Sequence, residues 1–239
     1  MDTRTDTGRE ILNSSQQLRQ EVDRIYKNRF SGEERTRLDV WRVLSRKYFQ
    51  QWVKATDTVL DLGAGYCEFI NLIQARKKYA LDVNPATAQH AAPEVEVLSD
   101  DIGADWSLPD QSVDVVFTSN SFEHLPSKKE LSYCLAEAWR VLRPGGLLLS
   151  MGPNIRYCYD IYWDFFDHHL PLSDKSLKEG LELAGFSVEK VVPRFLPYTM
   201  KSRMPAHPLL VRLYLSLPAL WPIFGKQFLI VARKKTAMA

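Results

Sequence analysis

Cysteine is scarce in this chain: Cys67, Cys134 and Cys158 are the only three in 239 residues. They form no CxxC pair and no Cys/His ligand spacing. That excludes a disulfide framework and a zinc ribbon, and leaves reduced thiols as expected of a cytoplasmic protein. An excess of one charge is lacking as well. Lys and Arg number 31 and Asp and Glu 29, a formal net charge of +2. Nucleic-acid binders carry a stronger, clustered basic surplus, so no nucleic-acid partner is expected. The opening stretch, MDTRTDTGREILNSSQQ, has no apolar run and carries acids, so neither a signal peptide nor a spanning helix is expected there. Internal repeats and low-complexity runs are also missing.

What is present is an ordinary globular composition, 45% hydrophobic and 25% charged, able to bury a core without disulfides or metals. The length suits one sizeable domain with additions. From about Glu10 to Val53 apolar residues recur near helical spacing (Ile25, Phe30, Val40, Trp41, Leu44, Tyr48, Trp52), and Ser31-Gly32 divides the stretch into two helices. The period then changes. Short apolar runs at Thr58–Leu62, Tyr79–Val83, Glu94–Leu98, Val113–Phe117 and Leu147–Met151 read as buried parallel strands. Cys67–Ala75 and Leu131–Leu142 read as helices between them, the second closed by Arg143-Pro144-Gly145-Gly146. A helix over Asp174–Ala184, with Ser173 as its N-cap, and strands near Ser187–Val192 and Gln227–Ala232 follow. Such alternation implies an α/β fold with a mostly parallel, doubly wound sheet. Residues 1–54 then form an N-terminal helical extension, 55–239 the main domain, and 197–224 an apolar, proline-interrupted insertion before the last strand.

The sharpest signal is Asp61-Leu62-Gly63-Ala64-Gly65-Tyr66-Cys67. A strand carries Asp61 to its C-terminal edge, and two glycines follow at alternate positions. A Cβ there blocks a ligand from touching the main chain, and the turn can demand positive φ. A second acid, Asp82, closes the next strand 21 residues later, at the place where a nucleotide-binding sheet receives ribose hydroxyls. No third glycine completes GxGxxG, so the dinucleotide fingerprint fails. Asp61 in the loop repels a pyrophosphate but pairs with the ammonium of an amino-acid-bearing cofactor.

This loop resembles that of class I S-adenosylmethionine-dependent methyltransferases of Rossmann-like fold, in which an acid is followed by glycines at alternate positions. Cys67 stands where the third glycine often falls. Leu108–Val116 and Val141–Gly146 are similar to the family's later motifs, so the resemblance is strong over roughly 55–150. It implies an antiparallel last strand and S-adenosyl-L-methionine as cofactor. The implied cofactor-binding residues are Asp61, Gly63, Ala64, Gly65, Asp82, Val83, Asp101, Ile102 and Asn120. Asp101, with Asp100 as its alternative, takes the adenine-binding place.

Methyl transfer needs a positioned acceptor and a group to receive its proton. The fourth strand runs into Asn120-Ser121-Phe122-Glu123-His124. The Asp/Asn-Pro-Pro-aromatic string of base and amide N-methyltransferases is absent, which counts against those substrates. Glu123 and His124 read either as catalytic or as the first turn of a helix, with Glu favouring the dipole. Asp164-Phe165-Phe166-Asp167-His168-His169 offers imidazoles that titrate near neutrality and a carboxylate to orient them. His168, His169 and Asp167 are therefore the expected catalytic residues. The string contains metal-ligand types, but its spacing fits no template and no metal is assigned. Tyr157, Tyr159, Tyr162 and Trp163 are core or a stacking wall for a sugar or ring.

Tyr26, Phe30 and Trp41 are candidates for an N-terminal lid. The segment His207–Trp221 is apolar nearly all round but broken by Arg212 and Pro218, too short to span a bilayer. It reads as a buried lid helix, a dimer surface or a shallow membrane contact. The expected activity is O-methylation of a small hydroxylated or glycan acceptor, a lipid-linked sugar among them. Alternatives are C- or N-methylation of another metabolite, or a non-catalytic cofactor-binding subunit at which Cys67 hints. The oligomeric state is not legible.

Overall fold

Thr58–Leu62 form β1, a strand buried at every position, and the sheet is built outward from it. The computed structural model describes residues 20–29, 32, 34–198 and 207–236. β2 (Lys77–Leu81) and β4 (Val113–Ser119) flank β1 in parallel. β3 (Val95–Leu98) pairs outside β2, and β5 (Leu142–Pro153) outside β4. β6 (Phe186–Val192) forms the far edge, and β7 (Gln227–Lys234) inserts antiparallel between β5 and β6. The order is β3-β2-β1-β4-β5-β7-β6. Succession reverses between β1 and β4, which opens a crevice at the strands' C-terminal ends. The doubly wound sheet and its antiparallel last strand are as the sequence implies.

Helices cover both faces. α1 spans residues 20–29 and α2 Glu34–Val43, continued by a π-turn (Leu44–Tyr48) and a 3-10 turn (Phe49–Trp52). α3 (Glu68–Leu72) follows β1, α4 (Thr87–His90) follows β2, and α5 (Lys128–Val141) joins β4 to β5. α6 (Ile155–Cys158) and α7 (Asp174–Leu183) lie between β5 and β6, and α8 (Pro208–Ser216) and α9 (Trp221–Phe224) between β6 and β7. On one face Leu131, Leu135, Leu177 and Leu181 pack over Leu60, Leu148 and Ile230. On the other, Leu44, Phe49, Phe69 and Trp221 pack over Phe117 and Leu149. The N-terminal segment from Leu44 to Val53 is thus part of the main core.

Local chemistry sets the helix starts. At α7 the Ser173 hydroxyl accepts from the Ser176 N–H (3.1 Å) and the Ser176 hydroxyl accepts from the Ser173 N–H (2.9 Å). Such reciprocal caps contribute about 1 kcal/mol each. Some elements differ from the sequence reading. The expected helix over Cys67–Ala75 is only the five residues of α3: Cys67 before it holds a left-handed backbone, φ 61°, and the chain turns extended at Ile73, ψ 143°. β5 starts at Leu142 and runs through Pro144-Gly145, where Gly145 at φ 81° turns the chain without ending the strand. α8 is not enclosed as a buried lid: Tyr214 is inside, while Leu209 is 68% and Leu213 55% exposed. Among the described residues no helix is long and apolar enough to cross a membrane. Phe30 lies outside the described residues.

Candidate active site

Two glycines carry the site because nothing larger fits. Gly63 has φ 71°, and a Cβ on it would stand 2.2 Å from the Ser121 hydroxyl oxygen. Gly65 has φ 54°, and its Cβ would press the Tyr26 ring at 3.0 Å. Side chains disfavour both the space and the backbone. Cys67, the third position, adopts the same left-handed region at φ 61° and buries its thiol toward the Thr87 carbonyl, 3.7 Å away. The cysteine therefore retains the turn, at a strain cost of roughly 1–2 kcal/mol.

Asp61 stands at the inner end of β1, 3% exposed and on the wall of a cavity of about 700 Å³. Burial, with Glu68 and Asp82 adding like charge, holds its carboxyl well above the usual carboxylate range, opposed by the Ile70 N–H. Across the crevice, Asn120 lies in a left-handed backbone, φ 52°, at the end of β4. Its Nδ2 donates to the Ser119 hydroxyl at 3.0 Å, and its Oδ1 is buried without a hydrogen-bond partner. An under-neutralised carboxylate and an orphaned amide oxygen beside bare main chain fit the ammonium end of an amino-acid-bearing nucleoside.

Asp82 takes a different part. Its two oxygens accept from the Gly65 N–H (2.7 Å) and the Asn84 N–H (2.8 Å), tying the glycine loop to the second strand edge. It is 7% exposed and does not line the cavity. Val83, Asp101 and Ile102 also lie off the cavity wall. Asp101 Oδ1 accepts from the Gly103 N–H at 2.8 Å, whereas Asp100 is engaged by Ser107 through its N–H (2.7 Å) and hydroxyl (3.0 Å). Asp101 is the less committed of the two. The cavity joins Asp61, Gly63, Ala64, Gly65 and Asn120.

The opposite end of the cavity corrects the sequence reading in three ways. Glu123 does not sit at the dipole of a helix. It belongs to a separate 3-10 turn, Phe122–His124, and is 4% exposed on the cavity wall, where burial raises its carboxyl above the ordinary range. Asp167 does not orient His168 or His169. Its carboxylate meets Arg29 of α1 at 2.5 Å and His124 Nδ1 at 3.3 Å, and its main-chain oxygen lies 2.8 Å from that same Nδ1. His169 is exposed and off the wall, held by its N–H to the Glu123 carbonyl at 2.8 Å.

His168 alone of the expected pair faces the cavity. It is 5% exposed, stacked on Phe165 with ring centres 4.8 Å apart, and its Nε2 lies 3.2 Å from the Tyr198 hydroxyl. Burial, aided by His124, pulls its pKa down to about 4 against the opposing pull of Asp167. The ring is neutral at physiological pH. Among the expected aromatics, Tyr162 is core, its hydroxyl donating to the Leu170 carbonyl (2.7 Å), while Tyr159 and Trp163 are exposed. The ring wall is made instead by Trp41, Phe165 and Tyr198, with Leu210, Val211 and Tyr214 of α8 at its rim and Tyr26 over Gly65.

The comparisons agree with this geometry. Residues 60–150 match the family model described as a methyltransferase domain. A curated relative from Mycolicibacterium smegmatis, named "Probable S-adenosylmethionine-dependent methyltransferase", is 36% identical over 146 residues, covering 57% of this chain and 54% of that protein. The chain thus spans about half the length of this relative. Among solved structures, a SAM-dependent methyltransferase from Archaeoglobus fulgidus superposes with a TM-score of 0.62 at 22% identity, over 86% of this chain and 99% of that one. A SAM-dependent methyltransferase from Thermotoga maritima gives 0.65 at 18% identity, over 90% and 100%. Over residues 60–150 the chain is thus similar to S-adenosylmethionine-dependent methyltransferases, and its fold is the Rossmann-like one these structures share.

Proposed function

We propose that this chain is an O-methyltransferase whose acceptor is a small hydroxylated or glycan molecule seated in the cavity between the glycine loop and α8. One observation carries the reading. The cavity that begins at Asp61 and Gly63 ends at Glu123, His124 and His168, three proton-accepting side chains within reach of one another. Bound S-adenosylmethionine supplies an electrophilic methyl, and its transfer to a hydroxyl oxygen sets one proton free.

The residues of the chain do the rest. Asp61 and Asn120 fix the amino-acid end of the cofactor, and the bare backbone of Gly63 and Gly65 lets it lie close. Trp41, Phe165 and Tyr198 supply flat surfaces of the kind that hold a sugar or ring. The hydroxyl proton leaves at the Glu123–His124–His168 corner, where His168 is neutral and able to accept. Arg29 and Tyr26, by closing the N-terminal side, keep water from the reacting oxygen.

The test is methyl turnover with deuterated cofactor over a panel of hydroxylated acceptors, with the labelled atom placed by NMR. Label on oxygen supports the reading; label only on nitrogen or carbon overturns it.

A further inference from the structure

The corner formed by Glu123, His124 and His168 is built more like a ligand set than a base. One atom from each side chain lies within 4.8 Å of the others. Glu123 is 4% exposed, and among the described residues no Lys or Arg makes an ion pair with it. A carboxylate so placed costs several kcal/mol unless a positive charge meets it. His168 is 5% exposed and its Nδ1 is buried without a hydrogen-bond partner, while Tyr198 stands at the other nitrogen. His124 is anchored through Nδ1 by the carbonyl and carboxylate of Asp167, which leaves Nε2 as the free lone pair. A carboxylate behind one imidazole nitrogen is the usual support of a metal-bound histidine.

From this geometry we infer that Glu123, His124 and His168 bind a divalent first-row cation, with Asp167 behind His124. Two imidazoles and a carboxylate leave coordination positions open, and these face the cavity. An acceptor with two adjacent hydroxyls fills them, as in a sugar diol, with one oxygen thereby directed to the cofactor. Donor atoms on one ion at about 2.1 Å stand at most about 4.2 Å apart. The widest pair needs to draw together by about 0.6 Å if its donors lie on opposite sides of the ion, and by roughly 1.4–1.8 Å if they are adjacent. The inference rests on the methyl-transfer reading and changes how the corner serves it: the cation acidifies the bound hydroxyl, whose proton then passes to solvent water instead of to an imidazole, and takes up the charge left on the acceptor oxygen.

The experiment uses the full chain, stripped with chelator and dialysed. Manganese(II) is titrated in with the free-ion EPR signal as readout, with and without S-adenosylmethionine. One ion per chain is expected. Glu123→Gln and His168→Gln are each expected to weaken binding at least about tenfold, and Asp167→Asn by about 10–100-fold. His207→Gln, at the exposed N-cap of α8, is expected to bind as wild type. Circular dichroism checks that each variant folds. No stoichiometric binding by the wild type, or equal binding by His168→Gln, overturns the site. Methyl transfer indifferent to chelator also overturns it while leaving the O-methyltransferase reading intact. Cation binding with transfer only to nitrogen or carbon sinks that reading and leaves the site standing.

Discussion

His124 and Asp167 are 43 residues apart in the chain, yet the imidazole Nδ1 lies 2.8 Å from the aspartate's carbonyl oxygen and 3.3 Å from its carboxylate. The same carboxylate receives Arg29 of α1 at 2.5 Å, and Arg29 lies over the Phe165 ring at 5.0 Å. One aspartate therefore fixes both the tautomer of a cavity-facing histidine and the N-terminal helix above it. Removing its charge leaves the ring free to turn. Asp167→Asn is expected to lower kcat about 10–100-fold, the range for a lost supporting carboxylate, with cofactor affinity changed less than about threefold. Steady-state kinetics with a parallel binding titration checks this. A fall in affinity as large as the fall in kcat means that Asp167 acts through the fit of α1 instead.

Asp82 holds the glycine loop by its main chain while keeping a free lone pair on each oxygen. Asp82→Ala removes the anchor at the Gly65 N–H and the carboxylate expected to meet the cofactor's ribose. Hydrogen bonds to a charged group contribute about 1.5–3 kcal/mol, so affinity for S-adenosylmethionine should fall roughly 10–100-fold. Calorimetric titration reads this directly. An unchanged Kd places the ribose elsewhere.

The glycine loop was legible because its constraint is one of backbone: positive φ and close approach leave few residue types to choose from, and Gly63 and Gly65 show both. The mostly parallel, doubly wound sheet followed from alternation and the short apolar runs, but the strand order came from the structure. The acceptor corner was not legible. Glu123 and His124 follow a strand with the spacing of a helix start, and only the fold shows that Glu123 is turned inward. The pairing of Asp167 with His124 is a tertiary contact that spacing does not encode. The sequence signal nearest to it was the acid-histidine juxtaposition itself, in two strings rather than one. The aromatic residues stayed undecided in the sequence for a similar reason: Tyr162 and Trp163 are neighbours, one fully buried and one exposed.

All three cysteines are buried and free. Burial raises Cys158 to about 12 and pushes Cys67 and Cys134 higher. The thiolate is the reactive form, so none is available near neutral pH. Ellman's reagent at pH 8 should find no fast-reacting thiol in the native protein and three after denaturation. A native thiol reacting within seconds contradicts the closed packing around it.

Phe49 tests how deeply the N-terminal segment belongs to the fold. It is fully buried, with ring centres 4.9 Å from Phe117, 6.0 Å from Phe69 and 6.3 Å from Phe195. Its truncation leaves a cavity among rings carried by β4 (Phe117), α3 (Phe69) and the loop after β6 (Phe195). Phe49→Ala is expected to cost about 3–5 kcal/mol and to lower Tm on the order of 10 °C. A loss under about 1 kcal/mol in chemical denaturation means that the segment docks onto a core complete without it.

Asp61 is expected to make cofactor binding a proton-linked event. In the free protein its carboxyl is held well above the ordinary carboxylate range by burial and by Glu68 and Asp82. An ammonium brought against it favours the charged form and pulls that pKa down. Binding therefore expels a proton wherever the free protein still holds one. Affinity is lowest at acid pH, rises through the window between the depressed pKa of the complex and the raised pKa of the free carboxyl, and is flat above it. Below about pH 7 the ligand's own amino group is already charged, so the release belongs to the protein. Calorimetry in two buffers of different ionisation heat counts the protons. Asp61→Asn, which keeps the shape without the charge, should bind more weakly and release none. Wild-type binding with no proton release at mildly acid pH means that the ammonium is held by other groups.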